Sequence, residues 1–136
     1  QLLNTAISKS PNNPQLYFAL GSLYEVGLKD EAKAEEAYKK ALDLDPENPS
    51  NIFSVGRLYF NQGVSLLDKA NSLNDQNQYK AEKAKAEAML RKALPFFEKA
   101  HKLKPEEREY MIGLRGIYYN LSMNKEFDAI NAEMSK

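Results

Sequence analysis

Apolar side chains recur at intervals of three and four residues in several segments of the chain, and turns containing proline separate these segments. The first segment is Leu2–Lys9, which the turn SPNNP closes. The next helix is predicted to begin with Pro14 in its first turn, to carry the pattern LYFALGSLYEVG from Leu16, and to end at Gly27 in a backbone with positive φ. Spacing of this kind predicts amphipathic α-helices.

The same alternation of apolar spacing and proline continues along the chain. A third helix is predicted to begin at Lys29 or Asp30 and to end near Leu44, because a residue that precedes a proline, here Pro46, is pushed out of the helical region. Pro49 starts the next cycle. We therefore expect an all-α fold.

The chain also contains internal repeats. Ala93–Pro105 aligns with Ala34–Pro46 after a shift of 59 residues, and Gly56 aligns with Gly21 after a shift of 35. These matches predict helix–turn–helix units of about 35 residues, in which small residues mark the places where two helices approach closely.

The second repeat is 24 residues longer than the first. The extra residues lie within about 64–92, contain no proline, and include the polar sequence NDQNQ. We interpret them as an extension of both helices into a long hairpin that turns at NDQNQ. Pro95, in the returning helix, predicts a kink. The pattern leaves open whether the helix from Pro49 continues past Gly63.

The last part of the chain repeats the pattern in degenerate form, with Arg115 in place of the glycine. Glu106, Glu107 and Glu109 are predicted in the first turn of its first helix, where negative charge suits the helix dipole. A short last helix, Glu126–Met134, has a polar outer face, as a terminal cap requires.

Composition argues against several functional classes. Nineteen basic and nineteen acidic residues balance, so no global field attracts nucleic acid or an anionic membrane. The chain has no cysteine, and no apolar run approaches the roughly 18 residues of a membrane-spanning helix. His101 is the only histidine, and no phosphate loop, nucleophile elbow or metal signature is present. We therefore expect no enzymatic activity and no cofactor.

These residues and spacings resemble the tetratricopeptide-repeat family. Its signature places an aromatic residue, Leu-Gly and Tyr on helix A, followed by Ala, Phe or Tyr, Ala and a closing Pro on helix B. The matching residues are Tyr17, Leu20, Gly21, Tyr24, Ala34, Tyr38, Ala41 and Pro46 in the first repeat, Val55, Gly56, Tyr59, Ala93, Phe97, Ala100 and Pro105 in the second, and Leu114 and Tyr118 in the third.

The resemblance implies an all-α solenoid, a superhelix of antiparallel helix pairs, over a single domain of residues 1–136. Residues 1–11 would be helix B of a preceding repeat, 14–46 one repeat, 49–105 a repeat with the inserted hairpin at about 64–92, and 106–136 a degenerate terminal repeat. The lengthened second repeat is similar to a bacterial subgroup with some exported members, so bacterial cytoplasm and periplasm both remain open. Because the chain begins at Gln1 within a helical pattern, we expect a fragment of a longer protein.

In this family, helix A lines a concave groove that binds extended peptides or partner helices. The groove residues carried over from the family are Gln15, Phe18, Ser22, Glu25, Phe53, Arg57, Phe60, Asn61, Ile112, Gly116, Tyr119 and Asn120, which we call the predicted groove residues. A subclass grips a C-terminal carboxylate with Lys and Asn, but Phe18 and Phe53 stand at the lysine positions here. We therefore expect a protein or peptide partner anchored on aromatic rings, and no carboxylate clamp.

Three alternatives remain open at this stage. The rings of the predicted groove could instead pack on a neighbouring repeat, on an N-terminal segment that precedes this sequence, or on the hairpin folded back. The hairpin arms could pack between subunits and form a homo-oligomer. Residues 79–104 carry eight basic residues against three glutamates, so a contact with nucleic acid or an acidic partner is a further alternative, although a solvated helix face is the favoured interpretation.

Overall fold

The computed structural model describes residues 2–136, which are all-α as the sequence predicts. The α-helices of this part of the chain are α1 (Leu2–Lys9), α2 (Pro14–Ser22), α3 (Glu31–Leu44), α4 (Pro49–Asn71), α5 (Gln76–Leu103), α6 (Arg108–Asn120) and α7 (Asn124–Met134), and a π-helical turn covers Leu23–Gly27. The helices form two compact units, one up to Val55 and one from Gly56 onward, and each unit is described by itself.

The first unit is built on the antiparallel pair α2 and α3. Asn13 caps α2 by accepting a hydrogen bond from the N–H of Gln15 at 3.0 Å, and Pro14 occupies the first helical turn as predicted. The Asp30 side chain caps α3 by accepting from the N–H of Lys33 at 3.1 Å. The ring of Tyr38 in α3 fills the space beside Gly21, where an added Cβ would lie 2.5 Å from ring carbons.

The end of α2 differs from the prediction. The N–H of Leu28 donates to the carbonyl of Leu23 at 3.0 Å, which is the i to i+5 pattern of a π-turn. Gly27 is the last helical residue, as predicted, but the prediction of positive φ was wrong, because no glycine among the described residues has positive φ. The residue with positive φ here is Lys29, at 53°. Because the π-turn is wider than an α-helical turn, the backbone stays helical through Gly27. The residue with left-handed φ is therefore Lys29, two positions later than expected.

The second unit contains the predicted hairpin. Helix α4 runs without a break past Gly63, and Gly63 lies against Leu90 of α5, where an added Cβ would be 2.8 Å from the Leu90 side chain. The connection occupies residues 72–75 and so includes only the first two residues of the predicted NDQNQ turn. The Asp75 side chain accepts from the N–H of Gln78 at 2.9 Å, and the last three residues of NDQNQ form the first turn of α5. Helix α5 continues through Pro95.

One buried carboxylate joins the two arms of the hairpin. Glu82, 9% exposed, lies 2.9 Å from Lys85 Nζ on its own helix and 3.2 Å from Lys69 Nζ on α4. Hydrogen bonds from Lys85 and Lys69 lower the pKa of Glu82, against the opposing effect of desolvation. Glu82 therefore remains ionised and bridges α4 and α5 near the end of the hairpin.

Helix α6 packs on α5 through Phe97, and α7 packs on α6. The ring of Phe97 occupies the position that a Cβ on Gly113 would need, and it also lies 3.1 Å from an added Cβ at Gly56. Two predicted boundaries shift: α6 begins at Arg108, which leaves only Glu109 of the three glutamates in its first turn, and α7 begins at Asn124. Arg115 stands at the glycine position of the repeat, and Gly113, two residues earlier, provides the space for the Phe97 ring.

The two glycines of α6 provide a matched test of this packing. Gly113→Ala should destabilise the chain by about 1–3 kcal/mol, because the new methyl group overlaps Phe97 in a packed core. In Gly116→Ala the nearest atoms lie 3.5 Å away on Phe60, so the higher helix propensity of alanine should raise stability by up to about 1 kcal/mol. Urea unfolding of both variants measures the difference, and equal midpoints would contradict this account of the packing.

The Glu82 bridge should make stability depend on pH. A lowered pKa means that the stabilisation is complete above the unfolded-state pKa of about 4.3 and is lost as the pH falls through the folded-state pKa. Glu82→Gln should therefore lower the urea midpoint at about pH 7, and the difference from the parent chain should vanish at about pH 2. Glu106→Gln, on an exposed carboxyl outside the hairpin, is the control. A difference that is independent of pH would refute the ionic contribution.

Candidate functional site

The predicted groove residues of the first unit lie on α2, on the π-turn and at the start of α4. Ser22 and Glu25 both contact the buried hydroxyl of Tyr38: that hydroxyl donates to Glu25 Oε1 at 2.8 Å and lies 3.3 Å from Ser22 Oγ. Phe18 is half-buried, with its ring tilted 52° against the Tyr38 ring at 5.6 Å. Phe53 on α4 is also half-buried. Ser22 and Glu25 therefore bind α3 through the Tyr38 hydroxyl.

A cavity of about 480 Å³ opens beside Phe18 in the first unit. Pro14 and Ser50 form part of its wall. The remaining lining residues are Asn13, Gln15, Phe18, Asp45, Asn48 and Asn51. Two predicted groove residues, Gln15 and Phe18, thus share this cavity with polar side chains of the α3–α4 connection and the first turn of α4.

In the second unit the predicted groove residues lie on α4 and α6. Arg57 and Phe60 are half-buried, and Asn61 is exposed. The Phe60 ring packs 5.7 Å from the Phe97 ring, which fixes its position on α4.

Two predicted groove residues of α6 are exposed apolar side chains: Ile112 is 48% exposed and Tyr119 is 69% exposed. The Tyr119 ring lies 5.8 Å from the ring of Phe127 on α7, and Asn120 Nδ2 donates to the carbonyl of Gly116 at 2.8 Å. Of the predicted set, Ile112 and Tyr119 present the largest accessible apolar surface in this unit.

Sequence reasoning missed an apolar patch around the π-turn. Leu23, Val26 and Leu28 are 45%, 72% and 61% exposed, and a hollow of about 140 Å³ beside them is lined in part by Leu3 and Tyr24. The available signal was the sequence LYEVGL, whose apolar residues do not fit one face of a regular α-helix.

The basic segment 79–104 lies on α5 and the residue that follows it. Its exposed cations include Lys80, Arg91 and Lys102, whereas Lys92 Nζ lies over the Tyr59 ring, 4.6 Å from the centroid. Glu82 faces the inside of the hairpin, and Glu98 accepts a hydrogen bond from the Tyr118 hydroxyl at 3.1 Å. This segment therefore has a net basic exposed face.

His101 takes a structural position between helices. Its Nε2 lies 2.8 Å from Glu133 Oε2 of α7, and its Nδ1 is buried without a hydrogen-bond partner in residues 2–136. Over the same residues no group of three or more His, Cys, Asp or Glu side chains is arranged to hold a metal ion. None of the helices described there combines the length and hydropathy required to cross a bilayer.

The family model for the tetratricopeptide repeat matches residues 14–48, which comprise α2, the π-turn and α3. Together with the helix pairs and the packing of the Tyr38 and Phe97 rings against glycines of a neighbouring helix, this match identifies the chain as a tetratricopeptide-repeat protein. Such repeats generally mediate protein–protein interaction, and the family is generally non-catalytic.

Two bacterial relatives carry the same name, cellulose synthase operon protein C. The relative from Xanthomonas axonopodis pv. citri (strain 306) is 38% identical over 93 residues, which cover 67% of this chain and 6% of the relative. The relative from Pseudomonas fluorescens (strain SBW25) is 32% identical over 93 residues, which cover 65% of this chain and 7% of the relative. The matched region is therefore a small part of each relative.

The contacts of Tyr38 generate a stability prediction. Tyr38→Phe removes a buried hydroxyl that donates to the Glu25 carboxylate, and a hydrogen bond to a charged group is worth about 1.5–3 kcal/mol. The variant should lose stability by about that amount in urea unfolding. Tyr17→Phe removes an exposed hydroxyl bond to the carbonyl of Pro11 and should cost less than about 1 kcal/mol. Similar losses in both variants would argue against the buried pair.

Proposed function

We propose that the chain is a non-enzymatic protein-binding module that takes a peptide or a partner helix on the predicted groove residues of its second unit. The observation that carries the proposal is the exposed pair Ile112 and Tyr119 on α6. The apolar neighbours of this pair on the same helix, including Leu114 and Ile117, are buried at 1% and 0% exposure.

The spacing of the pair suits an elongated partner. Residues seven positions apart on an α-helix lie about 10.5 Å apart along one face, so Ile112 and Tyr119 form two anchors two turns apart. The intervening Gly116 has no side chain, which leaves a shallow notch bordered by Phe60. An apolar side chain of a partner could enter that notch between the two anchors.

Polar groups near the pair have the character of an interface rim. The Nδ2 of Asn120 donates to the carbonyl of Gly116, and the amide oxygen of the same side chain is a further acceptor. Asn61 on α4 is exposed. Protein interfaces commonly combine an aromatic centre with a polar rim, and tyrosine is among the residues that contribute most to binding energy.

The relatives suggest where a partner should be sought. Both are named as proteins of a cellulose synthase operon, and both are bacterial. We propose that the protein partner belongs to a bacterial machinery that makes an extracellular polysaccharide.

Affinity capture tests the groove. The parent chain and the double variant Ile112→Ala/Tyr119→Ala serve as baits for an extract of the source cells. A partner anchored on these side chains should bind the double variant at least about 30-fold more weakly, as expected for loss of a dominant contact. Circular dichroism should show unchanged helicity, since both side chains are exposed.

Val26→Ala is the matched control, because Val26 is 72% exposed and lies outside the predicted groove. Capture that survives the α6 double variant but fails with Val26→Ala would overturn the proposal and assign binding to the patch at the π-turn. Equal capture by all three baits would also exclude the α6 pair.

A further inference from the structure

The cavity of the first unit has a chemical character that its place in a protein-binding fold does not explain. Its volume of about 480 Å³ lies within the range of roughly 300–1,000 Å³ that is usual for ligand sites. Such sites are mostly lined by apolar side chains. Here the apolar side chains are Phe18 and Pro14, and the other groups are amides, a hydroxyl and one carboxylate.

The polar lining is held in place before any ligand binds. Asn48 Oδ1 accepts hydrogen bonds from the N–H groups of Ser50 and Asn51 at 2.9 and 3.2 Å. Asn48 Nδ2 in turn donates to Asp45 Oδ2 at 3.2 Å. The Asn13 side chain is fixed in the same way by the N–H of Gln15. A lining that is ordered in advance loses little conformational entropy when it binds.

These same bonds leave donors and acceptors available. Asn51 is 3% exposed and its Nδ2 donates to the carbonyl of Ala41 at 3.3 Å, while its Oδ1 accepts nothing from the described residues. Because Asn13 is held through Oδ1, its amino group remains a donor. The exposed amide of Gln15 supplies one further donor and acceptor.

The aromatic wall is also rigid. The Phe18 ring is tilted 52° against Tyr38 at a centroid distance of 5.6 Å, and Tyr38 is 1% exposed. A half-buried ring held in this way offers an apolar surface of fixed orientation beside the amide groups.

We propose that this cavity binds a neutral, hydroxyl-rich ligand, namely a segment of an oligosaccharide. Sugar hydroxyls donate and accept together, which matches amide side chains, and the C–H face of a pyranose ring stacks on an aromatic ring. A strongly charged ligand would find one counter-charge at most, on Asp45, and its partner Asn48 already occupies one oxygen of that carboxylate. A peptide anchored by an apolar side chain would find apolar contacts on Phe18 and Pro14, but it would leave the surrounding amides unpaired.

The test is a titration of the 15N-labelled chain with cellohexaose, followed by amide chemical shifts. All hydroxyls of this β-1,4-linked glucose oligomer are equatorial, so both faces of its rings present C–H groups. Shifts should concentrate on the backbone and side-chain amides of Asn13, Gln15, Ser50 and Asn51. Gln15→Ala and Phe18→Leu should each weaken binding about tenfold, which corresponds to the loss of one good contact.

Phe18→Leu keeps an apolar side chain against Tyr38, so folding is preserved while the ring face is lost. Ile112→Ala/Tyr119→Ala is the control: it should bind cellohexaose as the parent does, whatever its effect on protein capture. The two proposals can therefore fail separately.

Two outcomes would overturn the inference. The first is the absence of shifts at these amides with cellohexaose at several millimolar. The second is a neutral extended peptide, such as acetyl-(Gly-Ser)₃-amide, that shifts the same amides while cellohexaose does not, which would assign the cavity to a peptide main chain.

Discussion

An aromatic ring of one helix fills the space left by a glycine on the neighbouring helix, and the packing of both units depends on this contact. Tyr38 occupies the space beside Gly21 in the first unit, and Phe97 lies against Gly56 and Gly113 in the second. Both rings are almost completely buried. Because the ring reaches the backbone at the glycine, the two helices approach more closely than a larger side chain at that position would allow. The other faces of the glycine-bearing helix remain available for other contacts.

The side chains that remain accessible after this packing differ between the two units. In the second unit, Ile112 and Tyr119 are exposed on α6, while Phe97 packs against another face of the same helix at Gly113. The first unit instead offers a polar cavity with the Phe18 ring at one wall. Amides and a carboxylate suit a hydroxylated ligand, whereas an exposed tyrosine and isoleucine suit a protein surface, so one repeat architecture supports two different kinds of recognition.

The chain departs from a regular repeat at the π-turn and at the hairpin insertion, and both departures are accommodated inside helices. The matched segment 14–48 is one residue longer than the usual repeat of about 34, and the π-turn at Leu23–Gly27 is a place where a helix absorbs an extra residue. The much larger insertion extends α4 and α5 into a hairpin that Gly63, Leu90 and the Glu82 ion pairs hold together. Neither change disturbs the packing of Tyr38 against Gly21 or of Phe97 against Gly56 and Gly113, because the π-turn and the hairpin extension lie at other positions along the helices.

The sequence by itself determined the all-α class, the helix pairs and the repeat positions of Gly21, Tyr38 and Phe97, because apolar periodicity, proline stops and small residues act locally and repeat along the chain. It also predicted an extended hairpin from the lost period. Tertiary structure alone decided that Ser22 and Glu25 bind the Tyr38 hydroxyl and that Gln15 and Phe18 share a cavity with Asp45 and Asn51. These pairings join residues up to 36 positions apart in the sequence, and no local spacing encodes which side chain a polar group will meet. The π-turn likewise escaped prediction: the apolar pattern of LYEVGL departs from a regular α-helix, but it does not specify the backbone bond from Leu28 to Leu23.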